Sequence, residues 1–205
     1  MKKRIISLLL ATLLLTVSAG AEQLLISPRP AVRRDIVILH TNDVHCGYES
    51  YGKVAALAKE ADLLVDVGDA IQGDVIGTLS EGGYIIEIMN ELGYDLAVPG
   101  NHEFDYGMQR FLTLAEEADF PYISANFLNA AGETVFAPCE LLEVDGVTIA
   151  FIGICTPETF TKSTPTYFQD DSGNFIYDFC QGDHGQELYD VTQSAIDSAK
   201  AAGAD

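Results

Sequence analysis

The run Leu63-Leu64-Val65-Asp66-Val67-Gly68-Asp69 decides the fold. A short apolar stretch closed by a turn residue reads as a strand covered on both faces. Gly68 lets the chain turn tightly at its end, and Asp69 then stands at the strand's carboxyl end. Upstream, Ile36-Val37-Ile38-Leu39 has the same character and runs into Asp43-Val44-His45. Downstream, Leu96-Ala97-Val98 leads through Pro99 into Gly100-Asn101-His102-Glu103. Helical patterns separate these runs. Residues 51–60 place Val54, Leu57 and Ala58 on one face. Residues 82–92 place Ile85, Ile86, Ile88, Met89 and Leu92 together, and Gly93 stops them. Residues 108–118 form another helix, before a strand at Tyr122-Ile123-Ser124. Alternating strand and helix units predict an α/β fold, with parallel strands and helices packed on the sheet. Ligands of such sheets bind at the carboxyl ends of the strands, where all three polar motifs fall.

The pattern changes after residue 125. Residues 139–144 and 147–154 read as two strands joined by Asp145-Gly146, a strong hairpin turn. Residues 156–185 form a long loop rich in Thr, Asp, Gly and aromatics, and residues 187–202 a helix that Gly203-Ala204-Asp205 would carry into another strand. Self-packing accounts best for Tyr167, Phe168, Phe175, Tyr177 and Phe179 in that loop; the other reading brings them to a base. At the start, Lys2, Lys3 and Arg4 precede an apolar stretch and Ala19-Gly20-Ala21, as in a secretion signal. The expected division is a signal over 1–21, a linker over 22–34 with Pro28 and Pro30, and a domain over 35–205. The apolar stretch is too short for a comfortable membrane span, so export without a stable span is expected.

The formal charge is −20, and cleavage of the signal would remove three basic residues and no acid. So acidic a chain argues against a nucleic-acid polymer as partner, since such binding rests on phosphate contacts. It favours solubility and can draw divalent cations. The four cysteines, Cys46, Cys139, Cys155 and Cys180, include no C-x-x-C pair, and an exported chain leaves three full disulfide pairings open. Cys155, in an apolar strand, is expected as a buried thiol. Cys46 is read as packing or a free thiol rather than a ligand.

The chemistry lies in the three strand-end motifs. Asp43 and His45, two residues apart on a turning backbone, can face one crevice. A carboxylate at Asp69 can bridge two cations, and Asn101 adds a neutral oxygen. Two divalent ions so held clamp the attacking and leaving oxygens of an in-line displacement, the chemistry of phosphate ester hydrolysis. His102 can donate a proton to the leaving alkoxide. Asp105, three residues on, can orient His102 or cap the following helix, and the roles are not exclusive. Glu103 either supports the ligands from behind or is solvated, and solvation is the preferred reading. His40 is read as a strand-end residue satisfied by backbone, and His184 as a loop residue.

Three blocks, residues 38–45, residues 68–73 (Gly-Asp-Ala-Ile-Gln-Gly) and residues 100–105 (Gly-Asn-His-Glu-Phe-Asp), closely resemble the bacterial 5′-nucleotidase/UDP-sugar hydrolase/2′,3′-cyclic phosphodiesterase group of calcineurin-like metallophosphoesterases. The resemblance runs from about residue 35 to 205. It implies a four-layer α/β/β/α metallophosphatase sandwich, here incomplete at the C-terminus. It implies two divalent metal ions, with Zn, Mn or Fe suited to the mixed donors. Asp43 and His45 would hold the first, Asp69 would bridge, and Asn101 would hold the second. His102, supported by Asp105, would be catalytic, with metal-activated water as nucleophile and a small-molecule nucleotide as substrate. Members of the group carry further His ligands and a C-terminal nucleotide-binding domain beyond the matching region. This chain is therefore expected to be the first part of a longer parent protein, with impaired hydrolysis. The alternative is a non-catalytic metal- or nucleotide-binding remnant.

Overall fold

In the computed structural model, residues 34–205 are described, and Ile36–Asp205 form one compact unit. The expected signal, and all but Arg34 of the expected linker, lie outside the described residues.

Strands β1 (Ile38–Thr41), β2 (Leu63–Asp66) and β3 (Leu96–Ala97) form a parallel sheet in that order. Leu39 pairs with Leu64 and Thr41 with Asp66, so the strands reach their carboxyl ends side by side. Side chains alternate faces along a strand, and β2 shows it. Leu64 belongs to a core cluster with Ile85, Met89, Phe111 and Leu114. Val65 belongs to another, with Leu96, Val98 and Ile123, which Leu142 and Phe151 cover.

Those two clusters define four layers. On the first face lie α1 (Tyr48–Leu57), α2 (Val75–Ser80), α3 (Gly83–Leu92) and α4 (Met108–Glu117). On the second lies the antiparallel hairpin of β5 (Cys139–Val144) and β6 (Val147–Ile152), backed by α6 (Gln186–Ala201). The short β4 (Leu128–Asn129) and α5 (Thr159–Lys162) fall between α4 and β7 (Tyr177–Asp178) in sequence. The α/β/β/α arrangement expected from the resemblance is present.

Several details differ from the sequence reading. Helix α2 was not foreseen. It is only six residues long and holds Gly77, too short a run for a helical period to show in the sequence. The strand expected at residues 122–124 is reduced to single bridges, Tyr122 to Ala97 and Ile123 to Ala137. The long loop holds α5, a 3₁₀ turn over Pro165–Phe168, and β7, which pairs with β4. Its aromatics pack on themselves in part: Phe168 and Phe179 are fully buried against Phe104, while Phe175 and Tyr167 stay exposed. Asp145 and Gly146 both take positive φ, as the hairpin reading requires. All four cysteines are free, and Cys46, Cys155 and Cys180 are buried.

Candidate metal centre

The loop after β1 runs beside the loop after β2, carrying the ladder past the strand ends. The Asp43 N–H donates to the Gly68 carbonyl, His45 N–H to Asp69, and Cys46 N–H to Ala70, each at 2.9 Å. Asp43, His45, Cys46 and Asp69 all take left-handed φ between 48° and 59°. Non-glycine residues in that region are uncommon and collect at functional sites. Glycine is needed where the loops touch: a Cβ on Gly68, whose φ is +102°, would lie 2.5 Å from the Gly100 nitrogen. A Cβ on Gly100 would run into the Asp69 carboxylate.

This packing brings Asp43, His45 and Asp69 together, with one donor atom of each within 4.8 Å of the others. His45 Nδ1 lies 2.9 Å from the Gln72 carbonyl and Nε2 3.0 Å from Asp43 Oδ1. Both ring nitrogens thus face oxygen acceptors. A neutral imidazole carries one proton and cannot satisfy both, so the site calls for a second proton or a cation at Nε2. Burial works to lower the His45 pKa, but the Gln72 carbonyl and the Asp43 and Asp69 carboxylates outweigh it and carry the value above the usual 6.5. Two hard carboxylates and an imidazole fixed through its far nitrogen fit a divalent cation.

His102 comes to the same place. Its ring stands edge-on to His45 with centroids 4.8 Å apart, and its N–H donates to Asp69 Oδ1 at 2.7 Å. Its Nδ1 lies 2.6 Å from Asp105 Oδ2, while Ser163 Oγ donates to Asp105 Oδ1 at 3.3 Å. Asp105 therefore orients His102. It does not cap α4, whose N-cap Gly107 has no side-chain partner. Asn101 stands half-buried between Gly100 and His102.

Two acids differ from or extend the sequence reading. Glu103 is not solvated but 1 % exposed, and it accepts hydrogen bonds from the backbone of Asp69, Ala70 and Gly100. Burial, then the charge of Asp69, push its pKa up against those three bonds. Asp66, unremarked in the sequence, is also buried. It accepts from Thr41 Oγ1 at 2.5 Å and Gly68 N–H at 2.9 Å, and burial lifts it to about 7. His40 and His184 are exposed and outside the cluster. One other trio of metal-type side chains converges among the described residues: Asp178, Cys180 and Glu187. Burial and the two acids push the Cys180 thiol up to about 12, which keeps it protonated.

A parallel sheet sandwiched against a second sheet, with acids and imidazoles converging at its strand ends, defines a metallophosphatase-type fold. The chain belongs to the calcineurin-like phosphoesterase family, whose model matches residues 36–179. It is 34% identical over 161 residues to the snake venom 5′-nucleotidase of Gloydius brevicauda, covering 64% of this chain and 27% of that protein. It is 34% identical over 167 residues to the 5′-nucleotidase of Bos taurus, covering 66% and 29%. Among solved structures it resembles the calcineurin-like phosphoesterase YfkN of Bacillus subtilis, with TM-score 0.66 and 26% identity, covering 83% of this chain and 59% of that one. The chain thus spans less than a third of the length of these two nucleotidases.

Proposed function

We propose that this domain hydrolyses phosphate esters of nucleotides with divalent metal ions. The observation that carries this reading is the convergence of Asp43, His45 and Asp69, with the His102–Asp105 pair beside them, at the carboxyl end of a parallel sheet. The 5′-nucleotidase names of the relatives support a nucleotide as substrate.

Asp43 and His45 would hold one ion, Asp69 would bridge, and Asn101 would serve a second. Zn, Mn or Fe fits these donors. When bound, such ions supply Lewis acidity to the phosphoryl oxygens and lower the pKa of the attacking water. The rest is done by the chain. Gln72 holds the His45 ring so that Nε2 faces the carboxylates. The His102 backbone N–H fixes one Asp69 oxygen. Asp105 accepts the hydrogen bond from His102 Nδ1–H, leaving Nε2 to hydrogen-bond or protonate the leaving alkoxide. The leading Lys2-Lys3-Arg4 and apolar stretch support export.

The test is hydrolysis of AMP and an aryl phosphate with added Mn²⁺ or Zn²⁺. Metal-dependent turnover is expected. Asp69→Ala should lose both turnover and metal binding. His102→Ala should lose turnover by about 10²–10⁴-fold while still binding metal. Metal binding by the unaltered chain with no turnover would refute the hydrolase reading in favour of a binding role.

A further inference from the structure

Glu103 has no part in the reaction above, yet its carboxylate is buried at the point where the β2 and β3 loops meet. Its Oε2 accepts the N–H groups of Asp69, at 2.9 Å, and Gly100, at 2.6 Å. Its Oε1 accepts the N–H of Ala70 at 2.8 Å. Asp69 and Ala70 follow β2, whereas Gly100 follows β3, so one side chain ties two loops that share no strand. The tie is closed from the other side, because His102 N–H donates back to Asp69 Oδ1 at 2.7 Å. Asp69 is thereby held at both its backbone nitrogen and its carboxylate, in a left-handed conformation with φ +59°.

Only an acceptor-only group meets three converging N–H donors at once; an amide of the same size must turn its own NH₂ toward one of them.

We propose that Glu103 is a positioning residue for the cation site, clamping the backbone of Asp69, Ala70 and Gly100 so that Asp69, Asn101 and His102 address one point. This rests on the metal-site reading above. Side chains that orient a ligand from behind change metal affinity by about 10–100-fold when altered.

The experiment is Mn²⁺ titration of the full chain, followed by paramagnetic resonance, with amide exchange and denaturation measured on the metal-free protein. Glu103→Gln is expected to weaken Mn²⁺ binding about 10–100-fold. It should also speed exchange at Asp69, Ala70 and Gly100 and lower the denaturation midpoint, since one buried N–H then faces the amide NH₂. Glu103→Asp keeps the charge, shortens the reach by one methylene, and serves the same comparison if the Gln variant does not fold. Unchanged Mn²⁺ affinity in a folded Glu103 variant overturns the proposal. Asp43→Asn separates the two readings. If it loses Mn²⁺ while the Glu103 variant does not, the site stands and the clamp falls. If it keeps full affinity, or if the unaltered chain binds no Mn²⁺, the site reading falls and the clamp with it.

Discussion

Replacing Asp66 by Asn should remove the pH dependence that this one residue imposes on the fold. Asp66 is buried under the site and titrates at about 7 instead of the ordinary 3.8, chiefly through burial. A folded-state pKa raised above the unfolded value means that the native state holds the proton more tightly. The contribution is therefore fully present below about pH 4 and is lost as pH rises through about 7, at roughly 1.4 kcal/mol per pH unit in between. Integrated from pH 5 to pH 8, the loss is about 3 kcal/mol. Asn carries no titrating proton and keeps the geometry. Its oxygen can accept from Gly68 N–H, and its amide can donate to Thr41 Oγ1, whose hydroxyl then turns to Tyr94 at 2.9 Å. Urea denaturation of both proteins at pH 5, 6, 7 and 8, with chelator present, isolates the effect, because the raised pKa values of His45 and Glu103 act in both. The expected result is that Asp66→Asn gains about 3 kcal/mol on the unaltered chain across that range, or roughly 6–12 °C in melting temperature. A difference that stays constant with pH would refute the reasoning, and one that moves the other way would reverse its sign.

Gly68→Ala should destabilise the fold by about 1–3 kcal/mol, because the residue sits at φ +102° and the new methyl would press on the Gly100 nitrogen. The same variant should bind Mn²⁺ more weakly, read by titration, whereas Gly132→Ala, also at positive φ (+76°) but with open space around it, should cost stability and leave Mn²⁺ binding alone. In the native chain a thiol reagent should label Cys139 rapidly and Cys46, Cys155 and Cys180 only on unfolding, since those three are buried and none is in a disulfide. Rapid labelling of a second thiol in native protein would contradict the described packing.

The strand-end motifs were legible because each signal is local. An apolar run, a glycine and a polar residue lie within a few positions, and a parallel sheet gathers its strand ends. Asp43, His45, Asp69 and the His102–Asp105 contact follow from that rule. What escaped depends on distance along the chain. Glu103 bonds to amides 33 and 34 positions away, so its own neighbours give no period to read. The one available hint is its place between His102 and the wholly buried Phe104, in a run with no outward-facing stretch. Asp66 likewise looks like an ordinary strand-end acid until Thr41 and Tyr94 are seen across the sheet. The pairing of β4 with β7 joins two-residue strands about fifty positions apart, too short for any alternation to show.

The left-handed residues of the site carry a consequence for how its shape is kept. Positions of this kind cost about 1–3 kcal/mol each and persist only where the surroundings over-determine them. Asp and His tolerate the region better than most residues, which suits Asp43, His45 and Asp69; Cys46 has no such tolerance. Its conformation is imposed from outside. The Cys46 N–H is taken by Ala70 at 2.9 Å, and its sulfur is pressed against Gly77, where a Cβ would collide with it. Ala70 is in turn fixed by Glu103, and Asp69 by Glu103 and His102. Each strained residue is therefore held by a bond to a neighbouring loop. The β1–β2 register sets which residues meet, pairing Thr41 with Asp66 just before the loops begin. Moving that register by one residue would turn every side chain of the strand to the other face and break all of these bonds together. The same ladder that builds the sheet thus sets the spacing of the candidate ligands.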